Sequence, residues 1–151
     1  MKITVLAIGK TRGVDSDWAA EYMKRLGPYV SVHVFAVPKA LPPDQTQKAE
    51  AQLLLKAISA KAFVVALDER GKDLSSRDFA ARLSGWEDQG IAALVFVIGG
   101  ADGLTDELRA RADFVLSFGR LTWPHRLARL MLLEQIYRAK QINAGHPYHR
   151  D

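Results

Sequence analysis

Val95-Phe-Val-Ile-Gly-Gly-Ala-Asp-Gly-Leu-Thr105 and, after one short segment, Phe114-Val-Leu-Ser-Phe-Gly-Arg-Leu-Thr-Trp-Pro124 decide the fold. Each starts as a compact apolar run and stops abruptly in small and polar residues. Short apolar runs bounded by turn residues read as buried strands. A helix start follows each: Thr105 ahead of Asp106 and Glu107, and Pro124 ahead of a long apolar-rich stretch. Strand, glycine-bearing exit loop and helix form the repeating unit of an α/β protein, whose ligands sit at the carboxyl edge of the sheet. The two exit loops therefore read as walls of one pocket for a nucleoside-like ligand. The alternative is two ordinary strand-to-helix turns.

The alternation extends upstream. Lys2–Ile8 is an apolar strand, followed by Gly9-Lys-Thr-Arg-Gly13, a loop whose two cations either contact phosphate or are simply solvated. A helix from about Ser16 to Leu26, capped by Ser16 or Asp15, places Trp18, Tyr22 and Leu26 at core spacing. Residues 31–37 alternate as a strand, with His33 structural. Pro38 to Asp44 is a loop. A helix over residues 45–60 turns Leu53, Leu54, Ala57 and Ile58 inward and leaves Gln45, Gln47, Lys48 and Glu50 in solvent. Phe63–Leu67 is a strand, and the charged loop 68–72 borders the same pocket. Ser75 with Asp78 forms a capping box for a helix burying Phe79, Leu83 and Trp86, with Gly90 near its end.

The last helix, from Pro124 to about Asn143, carries Leu127, Leu130, Met131, Leu132, Leu133, Ile136, Tyr137 and Ile142. Residues 130–133 alone point in four directions, more apolar surface than one stripe of a monomer's helix needs. The expectation is a homodimer through this helix, against a single deeply buried helix as the alternative.

The 151 residues suffice for one domain, 1–151. The chain has no apolar run long enough for a membrane span, and its opening reads as a strand rather than a signal peptide, so no membrane partner is expected. The lack of cysteine excludes disulfides and Cys-based zinc sites, and it suits a reducing, cytoplasmic setting. The formal charge of +4 permits a nucleic-acid partner without requiring one.

Phe96-Val-Ile-Gly-Gly-Ala-Asp-Gly-Leu104, Leu116-Ser-Phe-Gly-Arg-Leu-Thr-Trp-Pro-His125, Leu133-Glu-Gln-Ile-Tyr-Arg-Ala139 and the ending His146-Pro-Tyr-His-Arg-Asp151 stand in order. Together they resemble the RlmH family of SPOUT-class ribosomal RNA methyltransferases over the whole chain. The resemblance implies an α/β knot of the SPOUT type, a deep trefoil, with a mostly parallel sheet flanked by helices in an obligate homodimer. It implies S-adenosylmethionine as methyl donor and no metal. The reaction would be N3-methylation of a pseudouridine in 23S ribosomal RNA, on the assembled ribosome. Donor-binding segments carry over to Leu67, to Gly99, and to Phe118, Gly119, Arg120, Leu121, Thr122 and Trp123. These lie in strand-end loops already marked by the residues themselves.

Candidate catalytic residues cluster at the C-terminus: Tyr148 to stack on the base, His149 to accept a proton or bind phosphate, and Arg138 on the last helix. Arg138 also has Glu134 one turn earlier as an ion-pair partner, and the tail residues have a purely structural alternative. Lys10, Arg12, Lys24, Arg25 and Arg120 are candidate phosphate contacts. A nicotinamide-dependent dehydrogenase is disfavoured, because neither Gly9-Lys-Thr-Arg-Gly13 nor Gly99-Gly-Ala-Asp-Gly103 has the Gly-x-Gly-x-x-Gly spacing. A related enzyme acting on transfer RNA or another ribosomal site, and a non-catalytic ribosome-associated RNA-binding protein, remain as alternatives.

Overall fold

The computed structural model describes residues 1–148; His149 and the two residues after it lie outside that range. In chain order the elements are β1 (Lys2–Ile8), α1 (Val14–Leu26), β2 (Val30–Phe35), α2 (Pro43–Ala57) and β3 (Phe63–Asp73). They continue with α3 (Ser76–Asp88), β4 (Ala93–Ile98), α4 (Asp106–Arg111), β5 (Phe114–Ser117) and α5 (His125–Asn143). The five strands form one sheet in the order β2-β1-β4-β3-β5, and every pairing is parallel.

The runs of Val, Ile, Leu and Phe in β1, β3 and β4 explain this arrangement. A parallel strand covered on both faces needs apolar side chains in both directions. Val5, Val64, Val65, Phe96 and Val97 are fully buried. One face of the sheet packs α3 and α5, through Phe79, Leu83, Trp86, Leu132, Leu133 and Ile136, with Leu26 of α1 beside them. The other face packs α2 and α4, through Leu54 and Leu108. The helix starts use two different chemistries. Ser75 and Thr105 accept the N–H groups of Asp78 and Leu108, as the sequence predicts, and Pro124 precedes α5.

Four expectations are corrected. Helix α1 begins at Val14, behind Gly13, and Ser16 turns its hydroxyl back onto the Thr11 carbonyl instead of capping the helix. Helix α2 runs from Pro43 to Ala57, displaced toward the N-terminus because a proline opens its first turn. Trp18 has the spacing of a core residue, yet it is 62% exposed. Finally, the charged segment after Leu67 is not a plain loop. The strand bulges there and resumes pairing at Lys72↔Leu116 and Asp73↔Ser117. Gly71 makes this possible, since a Cβ at that position would sit 2.7 Å from the backbone of Val115.

Leu132 is fully buried between α5 and the sheet. Its truncation to Ala is expected to cost about 2–5 kcal/mol through lost transfer energy and a residual cavity. That is a large share of the roughly 5–15 kcal/mol of a typical domain. Urea unfolding of Leu132→Ala checks it through a lower midpoint at an unchanged slope.

Candidate functional site

The parallel register brings the carboxyl ends of β3, β4 and β5 to one edge of the sheet. A cavity of about 750 Å³ opens there. Its walls come from the end of β3 with its bulge (Leu67 to Arg70), from the β4 exit (Ile98 to Leu104), and from the β5 exit and start of α5 (Phe118 to His125, without Arg120).

The β4 exit is a tight turn made from small residues. Gly103 N–H donates to the Gly100 carbonyl at 3.0 Å, and Gly103 adopts φ +75°. Gly99 packs so closely on this turn that a Cβ would lie 2.9 Å from the Gly103 carbonyl group. Across the cavity mouth, the β5 exit is held by its own hydrogen bonds. The buried Ser117 hydroxyl accepts from Gly119 N–H at 3.1 Å, and the Trp123 indole donates to the Phe118 carbonyl at 3.0 Å. Thr122 donates to Glu69 at 3.2 Å, joining this loop to the β3 bulge. Leu121, 69% exposed, and Trp123, 38% exposed, are large apolar side chains on the wall with solvent over them.

Side chains from two helices fix the loops from behind. Arg109 of α4 donates to the Leu104 carbonyl at 2.5 Å and to Asp68 at 3.3 Å, and it also pairs with Asp106. On α2, Gln47 donates to the carbonyls of Asp102 (2.8 Å) and Leu104 (3.3 Å). Glu50, one turn on, is 6% exposed, with its carboxylate against Gly100. The expectation that Gln47 and Glu50 are solvated is therefore wrong. The signal was available, because Glu50 precedes Leu54 by four residues and so shares its buried row. What the sequence did not reveal is the surface that the row faces. Burial, then the Asp102 charge, raises the Glu50 carboxyl above its ordinary value, while a hydrogen bond from the Gly100 backbone opposes the shift. Its second oxygen, Oε2, has no hydrogen-bond partner among the described residues.

Of the sequence-derived donor contacts, Leu67, Gly99, Phe118, Gly119, Leu121, Thr122 and Trp123 meet in this one cavity, and Arg120 is not part of its lining. His125 belongs to the same wall. Burial, then Arg129 and Arg126, holds its imidazole below the ordinary histidine range, so it is neutral at pH 7.

The C-terminal candidates occupy a different place. Arg138 is held by Glu134, with contacts of 2.9 and 2.7 Å. Tyr148 donates to Glu134 at 3.3 Å, packs edge-on against Tyr137 and lies under the Arg138 guanidinium. Burial, then Tyr22 and Glu134, pushes its phenol up to about 12. Glu134 also lines a second cavity, of about 420 Å³, with Trp18, Tyr22, Leu127, Leu130 and Met131. His149 lies outside the described residues. Arg25, a candidate phosphate ligand, is paired with Glu21 and lies over Tyr22 and Tyr137. Among the described residues, no group of three His, Cys, Asp or Glu is placed to hold a metal, and no helix is long and apolar enough to cross a membrane.

The family profile described as "Predicted SPOUT methyltransferase" matches residues 1–149. The chain belongs to the SPOUT methyltransferase family. Relatives within this family extend over the whole length. A protein of Rhodospirillum centenum named Ribosomal RNA large subunit methyltransferase H is 50% identical over 151 residues, covering 99% of each chain. The proteins of the same name from Paramagnetospirillum magneticum and Carboxydothermus hydrogenoformans are each 46% identical, covering 99% of this chain. Among solved structures, a probable methylase family protein from Haemophilus influenzae is similar, with a TM-score of 0.58 at 16% identity, over 99% of this chain and 70% of that one. A putative methylase family protein from Neisseria gonorrhoeae gives 0.55 at 15% identity, over 99% and 87%. At that identity the two structures speak for the fold alone.

The Glu50–Gly100 contact predicts two variants with opposite signs. A Cβ at Gly100 would lie 2.7 Å from the Glu50 carboxylate, so Gly100→Ala should displace the β4 exit and lower the melting temperature. Glu50→Gln keeps an acceptor and removes the charge. A carboxyl whose folded pKa lies above its unfolded one favours the folded state at low pH and loses that advantage as pH rises through the folded value. At pH 7 Glu50→Gln should therefore melt at or above the wild-type temperature, with the difference shrinking toward about pH 4. Melting curves across that range check both.

Proposed function

We propose that this chain is an S-adenosylmethionine-dependent methyltransferase. It would modify N3 of a pseudouridine in large-subunit (23S) ribosomal RNA on the assembled ribosome in the cytoplasm, as a homodimer with residues 1–151 forming one knotted SPOUT domain. Family membership and the relatives named as ribosomal RNA large subunit methyltransferases support the reaction class. The single observation that carries the reading is the convergence of Leu67, Gly99 and the 118–123 turn on one cavity.

The residues present suit such a donor. Leu67, Leu121 and Trp123 offer apolar walls to the faces of an adenine, and the backbone of 118–123 offers amides and carbonyls to its edge. Gly119, at φ +97° with open space where a Cβ would be, leaves that backbone approachable. When bound, S-adenosylmethionine supplies an electrophilic methyl group on a sulfonium. The protein's share is positioning: the acceptor nitrogen must sit opposite the departing sulfur, and walls that fix both partners supply much of the rate. The wall should not stabilise the sulfonium too well, because that charge disappears in the transition state. The neutral His125 imidazole meets this condition.

The N3 proton has to leave. Tyr148, with its phenol at about 12, is protonated at neutral pH and donates rather than accepts. The base in this reading is His149 or solvent. Within one chain Tyr148 and Arg138 are held by Glu134, apart from the donor cavity, so in this reading the tail of one subunit of the homodimer closes over the donor cavity of the other.

Support for a second copy comes from α1 and α5. Trp18 and Leu127, 62% and 39% exposed, line the second cavity, and Val14 at the start of α1 is 83% exposed. Covering each such side chain stabilises by up to about 1.5–3 kcal/mol. Trp18→Glu with Leu127→Glu should shift the protein from dimer to monomer in sedimentation while its circular dichroism is kept.

N3 methylation blocks Watson–Crick pairing and stops reverse transcriptase. Primer extension on large-subunit RNA should show a stop in wild-type cells and none in cells lacking this gene. An unchanged stop would refute the assignment of target.

A further inference from the structure

A second built feature adjoins the cavity on the other side of the first turns of α5. The loop from Gly9 to Gly13 leaves the end of β1 and is bracketed by glycines at φ +139° and +121°, conformations that other residues rarely adopt. Its side chains are exposed, but its backbone is tied down. Gly9 N–H donates to the Phe35 carbonyl at 2.9 Å. Arg129 donates to the Lys10 carbonyl at 2.9 Å, and Arg126 donates to the Arg12 carbonyl. His125 rests against Gly9, where a Cβ would lie 2.9 Å from its Nε2, and also forms part of the cavity wall.

The charges of this feature do not balance. Arg126 and Arg129 share one carboxylate, Asp15, with contacts of 3.0 Å to Arg126 Nε and 3.6 Å to Arg129. Arg129 is 4% exposed, and its Nη1 has no hydrogen-bond partner among the described residues. Lys10 and Lys39 are exposed and lie close enough together that the Lys39 charge holds the Lys10 ammonium below its ordinary value, with Arg126 adding to the effect. Arg126 and Arg129 thus share the one carboxylate of Asp15, and Lys10, whose carbonyl Arg129 holds, adds a further cation with Lys39 beside it. Like charges gathered on a backbone fixed by glycine geometry and two arginine–carbonyl contacts are arranged for an anion from outside.

We propose that the Gly9–Gly13 loop, Lys39 and the first two turns of α5 form a phosphate subsite for the RNA backbone beside the nucleotide being modified. Lys10, Lys39 and Arg126 make the contacts. Arg129 and Asp15 are positioning residues that set the loop. The subsite adjoins the cavity through His125, so a phosphate held here leaves the next base within reach of the cavity mouth. This inference rests on the proposed RNA-modifying function, and it assigns part of the grip on the RNA backbone to this loop.

The test uses the full-length protein and Lys10→Ala/Lys39→Ala, both exposed positions outside the donor cavity. Binding to large ribosomal subunits purified from cells lacking the gene is measured across a salt series, and donor affinity by calorimetry. Each lost phosphate contact lowers the slope of log affinity against log salt by about 0.7–0.9. The double variant should lose roughly tenfold in subunit affinity at moderate salt and about 1–2 units of slope, with donor affinity unchanged. An unchanged slope overturns the subsite. A fall in donor affinity in step with RNA affinity also overturns it, because the anion would then be the donor's own carboxylate. Wild-type methyl transfer to the same particles is scored in parallel: its absence refutes the proposed function, and the salt slopes still decide the subsite.

Discussion

Parallel pairing of β4 with both β1 and β3 is the constraint on which the rest depends. With Leu94 opposite Ile3 on one side and Phe63 on the other, the exits of β3 and β4 must open on the same edge, and β5 joins them through β3. No side chain of the cavity would meet its neighbours without that register. The strands can hold it because they are apolar in both directions and covered on both faces, so a slip of one residue would exchange which side chains face each helical layer.

The loops at that edge illustrate how a site with few side-chain donors is kept in shape. The β4 exit is built from glycines, which let backbone approach backbone but give it no anchor of its own. The anchors come from elsewhere: Gln47 and Glu50 from α2 on one side, Arg109 from α4 on the other. Burying the Glu50 carboxylate is costly, and its raised pKa expresses that cost. The gain is an acceptor behind Gly100, in a turn where any larger residue would displace it. At the β5 exit the loop is tied to itself through Ser117 and Trp123, which leaves Leu121 and the indole face turned toward solvent.

Much of this was legible in the sequence. The strands at Lys2, Phe63 and Phe114, the capped helix after Ser75, the short helix after Thr105 and the meeting of the later exit loops all follow from local signals that the tertiary structure keeps. The misreadings share one cause. Glu50 and the β3 bulge depend on surfaces distant in sequence, and Trp18 meets none among the described residues that buries it. Periodicity marks Trp18 as apolar-facing but cannot say whether the covering surface belongs to the same chain. Glu50 is polar by composition and buried because Gly100, fifty positions away, needs it. The bulge returns to the sheet only because Gly71 can cross the backbone of Val115 at close range.

The most direct test of the central claim is amide hydrogen exchange of the full-length protein with and without S-adenosylmethionine. The account predicts added protection in the turns at 99–104 and 118–123 and at the end of β3 near Leu67, with the β2 edge unchanged. Binding that protects other segments and leaves those three as they were would contradict it.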